Sequence, residues 1–310
     1  MVEEMLPYLS EWPFGAPLKM KHFPNLKMII QTAHEYRNGF LSLRDLALRN
    51  GNLTPLSSLQ NKIESNDISS IFFVNGRATA FTHSSLVNNA IYLAQNVGLG
   101  DYDRVLVNLP LWESFGQTVG LLSPFSSQSF VVIPSNLFNA ESALKKIYEE
   151  KLNSIFCTPS QFQQLLEHPN FSKFRLDTLQ KLLVVSTTND RADAGLIKRI
   201  KEQFQVNQVN TAHAVDHFAG VSFFADNLDT LPDSSLAVGQ LMPNMEAKVV
   251  DQSGKVLSDG KQGSLFLKGH NLFSGYLNNG NLEKPQLDSQ GFFDTNLQAS
   301  VDSKGFFTIF

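Results

Sequence analysis

The chain has 310 residues, of which 42% are hydrophobic and 17% are charged, and its formal net charge at neutral pH is −4. A chain of this length and composition can bury a sizeable core, which excludes an intrinsically disordered protein. The negative charge disfavours nucleic acid or an anionic membrane as the main partner, and no apolar run is long enough to predict a transmembrane segment. The single cysteine, Cys157, excludes an internal disulfide.

The charged fraction is below the ~25% typical of soluble domains, and 25 residues are Phe. Two interpretations stay open. Either Phe fills an ordinary core, or partner proteins cover part of the surface, because interface cores are poor in charge and rich in aromatic side chains. The acidic start of the chain matches neither a signal peptide nor a typical mitochondrial presequence.

The first region, residues 1–70, is expected to be largely irregular, because prolines punctuate its beginning. Within it the sequence predicts a strand at Leu26–Gln31 and a short helix at Phe40–Leu48. The polar stretch from Gly51 to Asn66 is typical of a loop.

A strand, a tight turn, a second strand and a helix are predicted next. Ile71–Val74 is an apolar β-type run, and Asn75-Gly76 is a strong hairpin signal because both residues tolerate positive φ. Arg77–Phe81 then returns as the second strand. A helix follows from Thr82 or Ser84, either of which can act as its N-cap.

Strands and helices alternate as far as residue 210. The predicted helices include Ala140–Glu150 and Arg191–Phe204. The predicted strands are Arg104–Leu109, Phe130–Ile133, Ser154–Cys157, Lys181–Ser186 and Val206–Asn210. This alternation indicates an α/β fold, with a mainly parallel sheet covered by helices on both faces.

From about Ser235 the pattern changes to short strands separated by turns, which predicts a small antiparallel β subdomain. The predicted strands are Ala247–Val250, Ser264–Lys268, Phe292–Phe293 and Phe306–Ile309. The expected organisation is therefore a truncated N-terminal region at 1–70, an α/β subdomain at 71–234 and an antiparallel β subdomain at 235–310.

Several segments, in order, carry a family resemblance. The quoted segments are Thr82–Asn89, Leu109–Gly116, Cys157–Phe162, Ala237–Asp251 and Gly263–Gly269. Together they resemble the acyl-CoA synthetase family, the AMP-binding, adenylate-forming enzymes, and the medium-chain type in particular. The resemblance covers nearly all of residues 24–310. It implies the fold of that family's N-terminal domain, truncated in this chain.

The resemblance also implies where a nucleotide site would lie, and there the chain departs from the family pattern. The phosphate-binding loop is replaced by the Asn75-Gly76 turn, so the backbone cradle for a triphosphate is expected to be lost. The Gly-Gly-Ala of the adenine pocket corresponds to Thr187, Thr188 and Asn189, which add side chains where backbone should face the base.

Two further nucleotide-site motifs are altered. The family's Tyr-Gly-x-Thr-Glu corresponds to residues 212–216, so Ala212 replaces the aromatic residue, Val215 the hydroxyl and Asp216 the magnesium-binding Glu. Asp216 is either an exposed carboxylate satisfied by a neighbouring histidine or a remaining cation ligand. Leu297 replaces the Asp that would bind the ribose. The Phe-His pair near the acyl pocket is Trp112-Glu113 here.

These departures predict a protein that is not an enzyme. The end of the chain favours the same prediction, because the family continues from there into a C-terminal lid domain that carries the adenylating lysine. No catalytic residue, cofactor or metal ligand is expected. His213, His217 and Asp216 form at most a weak metal set. None of the altered nucleotide-site positions is expected to bind a nucleotide.

Three functional hypotheses remain. The first is a catalytically inactive accessory or scaffold subunit of a larger protein complex, in mitochondria by analogy with the medium-chain synthetases, or otherwise in the cytoplasm. The second is a non-catalytic protein that binds acyl-CoA or fatty acid, since an apolar acyl pocket could persist without the nucleotide site. The third is a residual fatty acid–CoA ligase.

Overall fold

The computed structural model describes residues 6, 8–13, 16–32, 35–48, 54–207, 209–226 and 237–310. The chain forms two compact units, Met1–Ile63 and Glu64–Phe310. The predicted boundary between residues 234 and 235 lies outside the described residues. That boundary and the predicted boundary at residue 70 stay predictions. Among the described residues, no helix is both long and apolar enough to cross a membrane.

The first unit contains little regular structure. A two-residue strand β1, Ile30–Gln31, pairs in parallel with β2, Leu41–Ser42, and two short helices follow, α1 at Leu43–Leu48 and α2 at Thr54–Gln60. A small core forms around Leu6, Leu9 and Leu18.

Three predictions for this unit were therefore inaccurate or wrong. The strand expected at 26–31 is reduced to β1, and the helix expected from residue 40 begins at residue 43. The expected loop contains α2, because a Thr-Pro pair stands in its first turn, where the missing N–H of proline costs no helical hydrogen bond.

The second unit begins with the predicted hairpin. Strands β3, Ile68–Val74, and β4, Arg77–Thr82, pair antiparallel around Asn75-Gly76, whose φ angles are 50° and 77°. Positive φ at both central residues is the requirement that makes Asn-Gly favourable in this turn.

Helix α3, His83–Val97, follows β4 without a loop. Thr82 is its N-cap, with its side-chain oxygen accepting a hydrogen bond from the Ser85 N–H, and Gly98 ends it at φ 70°. The N-cap prediction at Thr82 is confirmed.

Five parallel strands form one end of the large sheet, in the spatial order β9-β8-β7-β5-β6, with β6 at the edge. Their bounds are β5 Arg104–Val107, β6 Phe130–Val132, β7 Ser154–Cys157, β8 Lys181–Ser186 and β9 Val209–His213. The helices between them are α4 Ser114–Gln117, which continues through a π-helical turn at Thr118–Leu122 into α5 Ser123–Ser126, then α6 Ala140–Glu150, α7 Pro159–Leu166 and α8 Ala194–Phe204.

Alternate side chains of these strands pack on opposite faces of the sheet. Ile155 and Leu182 belong to a core with the apolar faces of α6, α7 and α8, whereas Phe156 and Leu183 belong to a second core with α3 and the later β strands. Strands β5, β7, β8 and β9 are largely buried on both faces, as parallel strands covered on both sides should be, whereas the edge strand β6 stays partly exposed. The fold is α/β, as the alternation predicted.

The remaining strands are antiparallel and extend this sheet beyond β9. They are β10 Phe223–Ala225, β11 Ala237–Leu241, β12 Met245–Val250, β13 Gly263–Gly269, β16 Phe293–Val301 and β17 Phe307–Ile309. Two more strands, β14 Gly275–Asn278 and β15 Asn281–Glu283, leave it and join a small antiparallel sheet of order β15-β14-β4-β3. The last part of the chain therefore supports the hairpin on which the second unit begins.

Candidate functional site

A cavity of about 790 Å³ opens at the carboxyl ends of the parallel strands. Its lining comes from the segments that directly follow β5, β6, β7, β8 and β9, together with the end of β3 and Asn75. In open α/β sheets, ligands bind in the crevice outside the carboxyl ends of the strands. The position of the cavity therefore makes it the candidate functional site of the second unit.

Part of the cavity lining is apolar. Trp112 follows β5 and leaves 66% of its surface exposed, whereas Phe115 and Phe72 are almost fully buried. Leu109, Leu111 and Phe138 also line the cavity. The apolar side chains that keep exposed surface here can shelter a hydrocarbon chain from water.

Hydrogen bonds fix the segments after β5 and β7 to each other. The Gln161 side chain donates from Nε2 to the backbone oxygen of Asn108 at 2.8 Å and accepts from the Thr158 N–H at 2.9 Å. The Asn108 Nδ2 lies 3.1 Å from the Sγ of Cys157. These hydrogen bonds hold the lining segments after β5 and β7 in one arrangement relative to each other.

Asp216 lies at the mouth of the cavity, where the tip of the hairpin reaches it. The Asn75 Nδ2 donates to Asp216 Oδ2 at 3.1 Å, across 141 residues of sequence. Glu113 lines the same mouth. The pKa of Glu113 is raised, first because partial burial disfavours its charged form and second because Asp216 is nearby. Two carboxylates therefore influence each other across the opening.

A third carboxylate, Asp190, lies in a turn after β8. The Thr187 N–H donates to the Asp190 backbone oxygen at 2.8 Å, and the Asp190 N–H donates to Thr187 Oγ1 at 3.1 Å. The Asp190 side chain accepts from the N–H and the hydroxyl of Ser160 at the start of α7. Among the described residues that line the cavity, none is Lys or Arg.

His217, at the edge of the cavity, is held by an aromatic cluster. Its Nε2 lies 2.8 Å from the Tyr276 hydroxyl, and its ring packs against Phe273 and Phe293. Burial lowers the pKa of His217, and nearby Arg77 lowers it further, against the opposing effect of Asp216. The His217 imidazole is thus favoured in its neutral form.

The structure brings together six of the nine positions that the family comparison singled out. Those that line the cavity are Asn75, Thr187, Thr188, Asn189, Val215 and Asp216. Gly76 occupies the adjacent turn position. Ala212 is buried within β9, and Leu297 lies in β16, opposite Leu265 and packed on the core, so neither is a lining residue.

The weak metal set is not assembled as a site. His213 is 1% exposed, and burial lowers its pKa to about 3, whereas His217 is turned toward Tyr276. No group of three or more candidate metal ligands occurs in the part of the chain that the structure describes.

Sequence reasoning did not assign Asp190, Ser160 or Gln161 to the site, and it treated Glu113 only as a departure from a motif. All four follow the carboxyl end of a parallel strand by a few residues. Position relative to the predicted strands was therefore a signal that could have found them.

The AMP-binding enzyme family matches residues 78–277, and the chain belongs to this family. It is 26% identical to acyl-CoA ligase sidI of Aspergillus fumigatus over 92% of this chain and 49% of that protein. It is 23% identical to the mitochondrial medium-chain acyl-CoA ligase ACSF2 of Mus musculus over 99% of this chain and 51% of that protein. The chain thus spans about half the length of these relatives.

Solved structures show the same fold at low sequence identity. The luciferase-like enzyme of the nonluminescent mealworm Zophobas morio matches with a TM-score of 0.75 and 20% identity, over 92% of this chain and 66% of that one. The anthranilate CoA ligase AuaEII, solved with anthranoyl-AMP, matches with a TM-score of 0.69 and 21% identity, over 79% and 47%. These likenesses confirm the adenylate-forming fold that the sequence motifs implied.

The prediction that this chain is not an enzyme is contradicted by these comparisons. The relatives are named as acyl-CoA ligases and the structural neighbour AuaEII as an anthranilate CoA ligase, and none of these names indicates an inactive protein. The prediction took altered motif residues as lost function. Six of the nine altered positions nevertheless line a formed cavity at the usual ligand-binding edge of the sheet, so the altered residue types alone did not justify that conclusion.

Proposed function

We propose that this chain binds the acyl group of a carboxylic-acid derivative, as the acyl-binding part of a protein of the acyl-CoA ligase type. The observation that carries this proposal is the cavity at the carboxyl ends of the parallel strands, whose lining includes the accessible apolar side chains Leu111, Trp112 and Leu137. The names of the relatives, acyl-CoA ligases, support an acyl group as the ligand.

The size and lining of the cavity suit such a ligand. Its volume of about 790 Å³ falls within the ~300–1,000 Å³ range of small-molecule sites. A methylene group moved from water to an apolar wall contributes about 0.8 kcal/mol. Each added methylene should therefore tighten binding roughly fourfold until the apolar part of the lining is fully covered.

The test is a chain-length series of uncharged thioesters. N-acetylcysteamine thioesters of hexanoic, octanoic and decanoic acid are titrated into the protein by calorimetry. The expected result is an affinity that rises with chain length. Leu111→Trp should weaken binding at least tenfold, because Leu111 is a half-buried lining residue and Trp would fill the space beside it.

Leu282→Trp is the matched control, because Leu282 is exposed on β15 and is not a lining residue. It should bind like the unmodified protein. An affinity that does not change with chain length, or equal binding by both Trp variants, would contradict the proposal.

A second candidate function is membership of a larger protein assembly. It is favoured by large apolar side chains that are exposed and do not line the cavity, with exposed fractions of 89% at Tyr102, 59% at Phe125 and 56% at Tyr148. Aromatic side chains are enriched in the cores of protein–protein interfaces. The mitochondrial name of the ACSF2 relatives supports a mitochondrial location for such an assembly.

The test of this second candidate is the native mass of the endogenous protein after gentle lysis of fractionated cells. Migration at several times the mass of the chain, with the same proteins recovered each time from the mitochondrial fraction, is expected. Migration as a free monomer would contradict it.

A further inference from the structure

Four Asn-Gly pairs occur in the sequence, beginning at Asn38, Asn50, Asn75 and Asn279. In such a pair the backbone nitrogen of the glycine can attack the Cγ atom of the asparagine, because glycine has no side chain that obstructs the approach. The Cγ–Nδ2 bond breaks, the glycine N–H proton passes to the leaving ammonia, and a cyclic imide forms. Water then opens the imide, which gives aspartate or isoaspartate. The fold around each pair determines how readily this deamidation occurs.

Two of the pairs occupy matched hairpin turns. Asn75-Gly76 joins β3 to β4 with φ angles of 50° and 77°, and Asn279-Gly280 joins β14 to β15 with φ angles of 47° and 83°. All four residues are exposed, and a Cβ atom added at either glycine would meet nothing within 4 Å. Because backbone geometry and access to water are nearly the same in the two turns, a difference in reactivity must come from side-chain contacts.

The side chain of Asn75 is held, whereas that of Asn279 is not. The Asn75 Nδ2 donates to Asp216 Oδ2 at 3.1 Å. Deamidation expels Nδ2, so this hydrogen bond has to be broken along the reaction. In the part of the chain that the structure describes, no hydrogen bond involves the Asn279 side chain, and the neighbouring Asn278 Nδ2 donates to Glu283 Oε1 at 2.9 Å. Ring closure at Asn279 therefore breaks no such contact.

The pair at Asn38 has a crowded glycine. Gly39 is buried, and a Cβ atom there would lie 2.4 Å from the backbone oxygen of Leu9. Ring closure changes the backbone torsion between the asparagine and the glycine, and tight packing of Gly39 against Leu9 opposes that change. The pair Asn50-Gly51 lies outside the described residues. Of the three described pairs, Asn279-Gly280 is the one that combines exposure, open space at the glycine and an unrestrained amide.

We propose that Asn279-Gly280 is a site of spontaneous deamidation in the folded protein, and that Asp216 protects Asn75-Gly76 from the same reaction. One hydrogen bond of ordinary net strength, about 1 kcal/mol, corresponds to roughly a fivefold change in rate. Deamidation at Asn279 should therefore be about fivefold faster than at Asn75. This modification site is independent of the acyl-binding function proposed above.

The product alters a hairpin beside the candidate functional site. Isoaspartate continues the backbone through its side-chain carbon and lengthens the turn, whereas aspartate adds a negative charge. A two-residue turn fixes the register of the strands that it joins, so the pairing of β14 with β15 should weaken as isoaspartate accumulates. Strand β14 pairs with β4, and its Tyr276 hydroxyl lies 2.8 Å from the Nε2 of His217 at the edge of the cavity.

The test is incubation of the native protein at mildly alkaline pH in water enriched in heavy oxygen, followed by peptide mass spectrometry. Opening of the imide incorporates oxygen from that water, so products formed during the incubation are distinguished from older ones. The expected result is conversion of Asn279 about fivefold faster than that of Asn75, with Asn38 also slower than Asn279. In protein unfolded by guanidinium the three rates should converge, because the contacts that separate them are lost.

Variants at Asp216 locate the protection. Asp216→Ala should raise the rate at Asn75 about fivefold and leave the rate at Asn279 unchanged. Asp216→Asn keeps an acceptor oxygen and should raise the rate at Asn75 by less. The control is Glu202→Gln, which removes an exposed carboxylate of α8 and should change neither rate. Because Asp216 is exposed, its replacement is expected to preserve the fold, and the rate at Asn279 reports whether it does.

Equal rates at Asn75 and Asn279 in the native protein would overturn the proposal, since the two turns differ in the contact with Asp216. No detectable deamidation at Asn279 in the native protein, under conditions that convert it in the unfolded protein, would overturn it as well. The protective role of Asp216 is refuted if Asp216→Ala and Glu202→Gln give the same rate at Asn75.

Discussion

Replacing Asn89 by Ala tests whether its buried side-chain amide stabilises the connection between β9 and β10. Asn89 lies on α3 and has no solvent-exposed surface. Its Nδ2 donates to the backbone oxygen of Val221 at 2.7 Å, and its Oδ1 accepts from the Val221 N–H at 3.0 Å. One side chain therefore satisfies both backbone groups of a residue in the connection between β9 and β10.

The magnitude follows from the groups that the substitution leaves unpaired. The Val221 N–H loses its partner, and a buried unsatisfied group costs about 1–3 kcal/mol. The Val221 oxygen keeps only a longer contact, 3.4 Å, from the Nδ2 of Asn271, so it loses most of one hydrogen bond, about 1 kcal/mol. The free energy of unfolding should fall by about 2–4 kcal/mol.

The assay is urea unfolding of the wild type and variants, followed by circular dichroism and tryptophan fluorescence together. Gln95→Ala is the matched control, because Gln95 is exposed on the same helix and its loss should change the free energy of unfolding by less than about 0.5 kcal/mol. If Asn89→Ala unfolded at the same urea concentration as Gln95→Ala, this account of the β9–β10 connection would be refuted.

Three further predictions concern single sites. In Gly116→Ala, the added Cβ would lie 1.9 Å from the Pro110 backbone oxygen, so the melting temperature should drop by several degrees. In the control Gly100→Ala, the Cβ meets nothing within 4 Å, so the melting temperature should stay within about one degree. Equal melting temperatures of the two variants would contradict this prediction. Burial holds the pKa of His213 near 3 in the folded chain, against about 6.5 for an unperturbed histidine. The unfolded state therefore binds more protons between these pH values, and stability should fall as pH falls below about 6.5, by at most about 1.4 kcal/mol per pH unit. His213→Phe should flatten that dependence in urea midpoints measured from pH 7 to pH 5, and parallel profiles would contradict it. Burial also raises the pKa of Cys157 to about 12, so a thiol reagent should label no cysteine in the native protein at pH 8 and one in 6 M guanidinium; rapid native labelling would be inconsistent with this burial.

The regular part of the fold could be predicted from the sequence because local pattern and tertiary burial agree there. Ser154–Cys157, Lys181–Ser186 and Ala140–Glu150 have the predicted bounds, since each is an apolar or amphipathic segment with clear flanking signals. The helix at Thr54–Gln60 was missed because its polar sequence has no strong periodicity. The pairing of β14 with β4 joins Gly275 to Ala80, and no local signal could predict a contact of that sequence separation.

The candidate site was predictable in part. Family motifs identified Asn75 and Asp216, but only the structure shows that the hairpin tip donates a hydrogen bond to that carboxylate. The same comparison placed Leu297 at a ligand position, where the structure has a residue packed on the core. Motif comparison finds aligned positions, whereas a cavity depends on how distant segments meet. The wrong prediction of a non-enzyme arose from that difference.

The acyl-binding function is tested most directly by a photoreactive octanamide that carries a diazirine in its chain. After irradiation with the intact protein, the labelled peptides are identified by mass spectrometry, with and without excess octanamide. The account predicts labels in the segments 107–115, 133–138 and 158–164, which line the cavity, and their loss under competition. Labels confined to other parts of the chain, or labels that excess octanamide does not displace, would contradict it.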